Sequence, residues 1–131
     1  MNKISSSSTS MVEGKHRLGV RVYYENTDAG GIVYYADYLK FSERARTEML
    51  RAIGCEQQDN GKNYGISFVV RTCNVEFLKP GKLDDWLEVV TEILMVRGAS
   101  ILMRQNIKKG NHELVLMEVK LACISSDGSP V

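Results

Sequence analysis

A chain of 131 residues with 44% hydrophobic and 25% charged side chains is sized and composed for one globular domain with its own core. Seventeen Lys and Arg against sixteen Asp and Glu leave a net charge of +1, which supplies no field for gripping a polyanion, so nucleic acid is not expected as a partner. Three scattered cysteines, Cys55, Cys73 and Cys123, contain no CxxC pair; they fit neither a disulfide framework nor a zinc site and point to free thiols in a reducing cytoplasm.

The opening MNKISSSSTSMVEGK, residues 1–15, is polar and serine-rich without an apolar core, so a disordered tail is expected rather than a signal peptide. HRLGVRVYY, from His16 to Tyr24, has the β-branched and aromatic content of a strand, and Asn26, Thr27 and Asp28 then favour a turn. From Ala36 to about Ile53 the apolar residues Tyr38, Phe41, Ala45, Met49, Ala52 and Ile53 recur at threes and fours. This spacing predicts a helix roughly 27 Å long, with Gly54 placed where glycine commonly ends one.

After the polar loop CEQQDNGKNYG, the runs ISFVVRTCNVEFL, LDDWLEVVTEILMV, ASILMRQNIKK and HELVLMEVKLACI predict four more strands. The breaks fall at Lys79-Pro80-Gly81, Arg97-Gly98 and Gly110-Asn111. The fold class is therefore α+β, a single domain over residues 16–131 with one long helix on a five-stranded antiparallel sheet long enough to curl around it. Leu87, Val89, Ile93 and Met95 alternate with Trp86, Val90, Leu94 and Val96, so both faces of one strand look partly apolar. A second copy of the chain is the simplest cover for the outer set.

Few catalytic schemes fit. His16 and His112 have no metal-ligand spacing, so no metal and no cofactor is expected. Gly65-Ile66-Ser67-Phe68-Val69 lacks the second glycine of a nucleophile elbow, and Gly30-Gly31 makes no dinucleotide fingerprint. Asp84 and Asp85 read as a solvated strand entrance. What remains is TDAGGIVYYADY, residues 27–38. An aspartate there is most often a turn or capping residue. Yet a carboxylate just ahead of a helix whose first N–H groups lack internal partners also sets an acid beside an oxyanion-binding site. That pairing suits acyl transfer, and thioesters best, because a thiolate leaves with little help from a general acid. The carboxylate would either activate water or attack the carbonyl itself.

RVYYENTDAGGIVYYADYLKFSERARTEML, Arg21 to Leu50, closely resembles the opening of the YbgC-type acyl-CoA thioesterases of the 4-hydroxybenzoyl-CoA thioesterase family, and the similarity continues more loosely from Phe68 to Ile93 and into the last two strands. The resemblance implies a hotdog fold, with sheets paired in dimers that often form tetramers, and a cytoplasmic enzyme hydrolysing an acyl-CoA thioester. The family's catalytic aspartate matches Asp28; the residue whose backbone N–H polarises the thioester carbonyl matches Tyr35; a family tyrosine matches Tyr24. Many YbgC-type members have histidine where this chain has Tyr35, which leaves that position a main-chain role. Arg97 and Ser100 match positions where relatives meet the nucleotide end of CoA, and arginine suits phosphate.

Other residues carry plainer expectations. Glu43, Arg44, Arg46 and Glu48 match the family's ERARTE and are expected to pair along a solvated or interface face of the helix. Tyr23, Tyr34 and Tyr38 are expected in the core. The rival reading is a non-catalytic hotdog module binding acyl-CoA or an acyl carrier protein; a hotdog dehydratase ranks last, for want of a histidine near the site.

Overall fold

The computed structural model describes residues 9–12, 14–53 and 66–125; the polar loop after the helix, with Gly54 and Cys55, lies outside the described residues. Among the described residues six strands form one antiparallel sheet: β1 (Thr9–Val12), β2 (Lys15–Arg21), β3 (Ile66–Phe77), β4 (Trp86–Arg97), β5 (Ser100–Lys109) and β6 (His112–Ser125), in the order β1-β2-β4-β5-β6-β3. The expected five become six because the sheet begins inside the serine-rich opening. There Thr9–Val12 turns back at Gly14 (φ +76°) and pairs with β2 from Thr9↔Leu18 to Val12↔Lys15. Polar residues at a sheet edge need no core, which is why composition alone read them as a tail.

The helix α1 (Tyr35–Ala52) lies on one face of this sheet. Its stripe Tyr38, Phe41, Ala45 and Met49 is buried, as the periodicity predicts, whereas Ala52 and Ile53 are exposed at its end. Beneath it, cross-strand rows supply the other half of the core. Leu18, Val89, Ile107 and Val115 form one row, and Val20 and Leu87 pair in the next. Burying a side chain the size of Phe41 or Met49 contributes about 1.5–3 kcal/mol.

One row is polar. His16, Thr91 and Gln105 are paired neighbours on β2, β4 and β5 and are fully buried. Arg46 turns inward to meet them rather than pairing along the helix surface. Its Nη1 donates to Gln105 Oε1 at 3.0 Å and to Ser42 Oγ at 3.3 Å, while Gln105 Nε2 donates to Ser42 O and Thr91 Oγ1. Burial pushes the Arg46 guanidinium below its usual value, and the charges of Glu43 and Cys73 oppose this. Glu48 does stay on the surface, with Arg51 at 2.8 Å.

The outer face is more charged than the alternation of β4 suggests. Arg17 pairs with Glu88 at 3.0 Å, and Arg104 approaches Glu92 at 3.7 Å. Between Ile93 and Met95 the register with β5 shifts, so the two apolar series exchange faces and Met95 and Val96 end up exposed. β3 is the far edge. It is 12 residues long, pairs only with β6 among the described strands, and leaves Val69, Val70 and Phe77 exposed.

Candidate active site

The chain leaves β2 at Arg21 and makes a single 3-10 turn at Tyr24–Asn26, so the expected first strand stops short of Tyr24. A bridge between Thr27 and Val33 then closes a loop over Asp28–Ile32. Within it, Asp28 N–H donates to Ile32 O at 2.9 Å and Gly31 N–H donates to Asp28 O at 3.0 Å. Gly31 has φ +80°, a conformation in which a side chain would be strained, so the glycine is required for the loop to close.

Asp28 is exposed, and its Oδ1 accepts the Gly30 N–H at 2.9 Å. Its other oxygen has no hydrogen-bond partner among the described residues, which leaves one carboxylate lone-pair face open to a water or a substrate. Tyr23, Tyr24, Glu25, Thr27, Asp28 and Ala29 line one open depression, so Tyr24 and Asp28 are brought together. The Tyr24 ring is 82% exposed, while its carbonyl accepts from Thr27 N–H and Thr27 Oγ1.

On the other side of the loop α1 begins without a side-chain cap. The N-cap Tyr34 donates its own N–H to Asn26 O at 2.8 Å, and Asp37 N–H donates to Tyr34 O. Tyr35 N–H and Ala36 N–H, between them, meet no acceptor among the described residues. They are the free donors of a helix start. The Tyr35 ring is exposed, 4.8 Å from Tyr34 and edge-on to Phe77 at 6.3 Å between centroids. Tyr38 alone of the three core-expected tyrosines is buried; Tyr23 and Tyr34 face solvent. A side-chain hydrogen bond with Tyr35 holds the Tyr34 phenol above its ordinary value.

Asn26, expected only as a turn former, and Asp37, not singled out in the sequence, tie these parts together. Asn26 Oδ1 accepts Tyr23 N–H at 2.8 Å, and Asn26 Nδ2 donates to Asp37 Oδ2 at 2.9 Å across to the first turn of α1. The signals were an asparagine ahead of a turn and an acid in the first turn of a helix.

Arg97 and Ser100 are not part of this cluster. They form the β4–β5 hairpin, where Ser100 Oγ donates to Arg97 O at 2.9 Å, whereas the Asp28 loop springs from the end of β2 that pairs with Trp86. From Trp86 to Arg97 the strand runs roughly 36 Å at about 3.3 Å per residue, so one chain keeps them at opposite ends. Asp84 and Asp85 precede β4 in a turn. Burial would raise Asp85, but bonds from Lys109 and the Lys82 N–H outweigh it and hold the carboxyl below its usual value.

A helix cradled by an antiparallel sheet, with an acid at its uncapped start, is the hotdog architecture of thioesterases. Residues 30–116 match the family model described as thioesterase superfamily, and the chain belongs to that superfamily. Within it, the chain is a homologue of the YbgC proteins. It is 45% identical over 114 residues to the acyl-CoA thioesterase YbgC of Haemophilus influenzae, covering 87% of this chain and 84% of that one. It is 48% identical over 109 residues to the acyl-CoA thioester hydrolase YbgC of Escherichia coli, covering 82% and 81%. A probable thioesterase from Bartonella henselae superposes with a TM-score of 0.86 at 37% identity, over 89% of this chain and 97% of the other.

Proposed function

We propose that this chain hydrolyses an acyl-CoA thioester to the free acid and CoA, with Asp28 as the acting carboxylate. The observation that carries the reading is the start of α1, where the Tyr35 and Ala36 N–H groups meet no acceptor among the described residues and follow the loop that carries the open oxygen of Asp28. A thioester carbonyl oxygen seated on those donors would be stabilised as its negative charge grows. Asp28 then takes a proton from a water that attacks the carbonyl carbon, or attacks that carbon itself to give an anhydride that water opens. In either route the C–S bond breaks and the thiolate leaves with the electron pair, without needing a strong acid. Tyr24, in the same depression, orients the water or the carboxylate.

The working unit we propose is a homodimer joined along β3, the long edge strand with exposed Val69, Val70 and Phe77. Two-fold pairing along that edge reverses the strand direction. The partner's Arg97 hairpin would then lie toward this chain's Asp28, reuniting for CoA what one chain keeps apart. A tetramer, and delivery of acyl groups by an acyl carrier protein, are further assemblies of the same unit.

Release of thiol from a panel of acyl-CoA esters tests the reading. Asp28→Asn and Asp28→Ala should be inactive yet fold as the parent does; a fully active Asp28→Ala enzyme would sink it. Tyr35→Phe should keep most activity, because only its main chain acts. Label in the Asp28 carboxylate after a single turnover in oxygen-18 water identifies the anhydride route, because water that opens the anhydride at Cγ leaves its oxygen there, whereas direct hydrolysis labels only the product acid.

A further inference from the structure

We infer that Asn26 is a positioning residue that keeps the carboxylate of Asp37 away from the free N–H groups of α1; this rests on the reading of those groups as an oxyanion site. With Tyr34 as N-cap, Asp37 is the third helical residue, the place from which an acidic side chain ordinarily reaches back toward the N-cap N–H and so lies over the donors of Tyr35 and Ala36. A carboxylate there would occupy the donors meant for the substrate, and its charge would oppose an oxyanion beside it.

The geometry shows what prevents this. Asp37 is buried, and its Oδ2 accepts from Asn26 Nδ2 at 2.9 Å. The orientation of the Asn26 amide is fixed, because the Tyr23 N–H that meets its other end at 2.8 Å can only donate, so that end must be oxygen and the end at Asp37 must be NH₂. The Asn26 backbone is anchored as well, its N–H donating to Tyr23 O and its carbonyl accepting Tyr34 N–H. Four hydrogen bonds, two to the side chain and two to the backbone, thus hold this one residue between the turn that leads to Asp28 and the helix start. The same residue that satisfies the N-cap N–H with its carbonyl diverts the internal acid with its amide, and the next two N–H groups stay open.

The test uses amide hydrogen exchange and steady-state kinetics on the full chain. In the parent, the Tyr35 and Ala36 amides should exchange quickly. In Asn26→Ala, Asp37 is released to cap them, so their exchange should slow several-fold, and kcat should fall about 10- to 100-fold with KM little changed. Asn26→Asp, which sets two carboxylates together, should also lose kcat, and adding Asp37→Asn should restore most of it by rebuilding the bond with donor and acceptor exchanged. Unchanged exchange at both amides in Asn26→Ala, or a parental kcat in Asn26→Ala alongside an inactive Asp28→Asn, overturns the inference and leaves the role of Asp28 standing. A fully active Asp28→Asn overturns the functional reading instead, and the exchange rates still decide whether Asn26 diverts Asp37.

Discussion

The hydroxyl of Tyr38, in the second turn of α1, accepts the Gly81 N–H at 2.8 Å, and Gly81 O in turn accepts Val33 N–H at 2.8 Å. One buried phenol therefore pins the helix, the Lys79-Pro80-Gly81 break and the strand-like end of the Asp28 loop to one another. Tyr38→Phe keeps the ring and orphans a buried N–H, which should cost about 1–3 kcal/mol in urea unfolding. No loss of midpoint would show that the bond is replaced by water.

The same phenol gives an alkaline signature. Burial holds its pKa above the ordinary value, with the charge of Asp85 adding and the Gly81 N–H opposing. Above about pH 10 the unfolded chain ionises while the folded chain keeps its proton, so the native state binds more protons and stability falls as pH rises. Unfolding free energies between pH 9 and about 11 should decline less steeply in Tyr38→Phe than in the parent.

On the acid side the buried His16 acts with the opposite proton balance. Burial lowers its pKa, and the charge of Glu48 only partly offsets this. Below about pH 6.5 the unfolded chain takes up a proton that the folded chain refuses, so stability falls as pH falls toward the folded-state value. His16→Asn should flatten the stability profile between about pH 6.5 and 5, and an unchanged slope there would assign the acid sensitivity to carboxylates.

Gly19 sits beneath the indole of Trp86, where an added Cβ would overlap the ring, and Arg21 lies over that ring at 5.2 Å. Gly19→Val should displace the single tryptophan, change its fluorescence and destabilise by about 1–3 kcal/mol. Trp86→Ala in the Gly19→Val background should remove most of the clash, and a simple sum of the two single losses would show that the ring is not the obstacle.

The Arg46–Gln105 bond is testable by a double-mutant cycle. Arg46→Met leaves Gln105 Oε1 without its guanidinium donor and Gln105→Leu leaves the buried guanidinium with only the longer bond to Ser42 Oγ, so each should cost about 1–3 kcal/mol. The double variant should lose less than the sum; additivity would mean the two side chains do not act as a pair.

The fold was largely legible because its strongest signals are local. Tyr38, Phe41, Ala45 and Met49 mark one helical stripe, and the glycine-bearing breaks after Lys79, Arg97 and Lys109 mark the strand ends. β1 was not legible, since Thr9–Val12 pairs along an edge and its residues need no hydrophobic pattern. Both faces of β4 do carry apolar residues, but their alternation shifts at one bulge, which no single-residue preference announces. In the site, Asp28 stood out by its place between glycines and a helix start. Asn26 and Asp37 did not, because a bond between positions 26 and 37 depends on how the loop closes. Arg46 likewise reads as a surface charge until Gln105, from a distant strand, meets it in space.

The place of β3 in the sheet also governs how the chain can fold as it is made. The first strand after the helix, β3 has its only described partner in the last strand, with Ile66 opposite Ser125. Until β6 has been synthesised, a twelve-residue segment carrying Phe68, Val70 and Phe77 has nowhere to pair. Such non-local closure is slow and leaves a sticky intermediate, so the ribosome-bound chain should depend on chaperones during that interval and be released from them once the final strand docks.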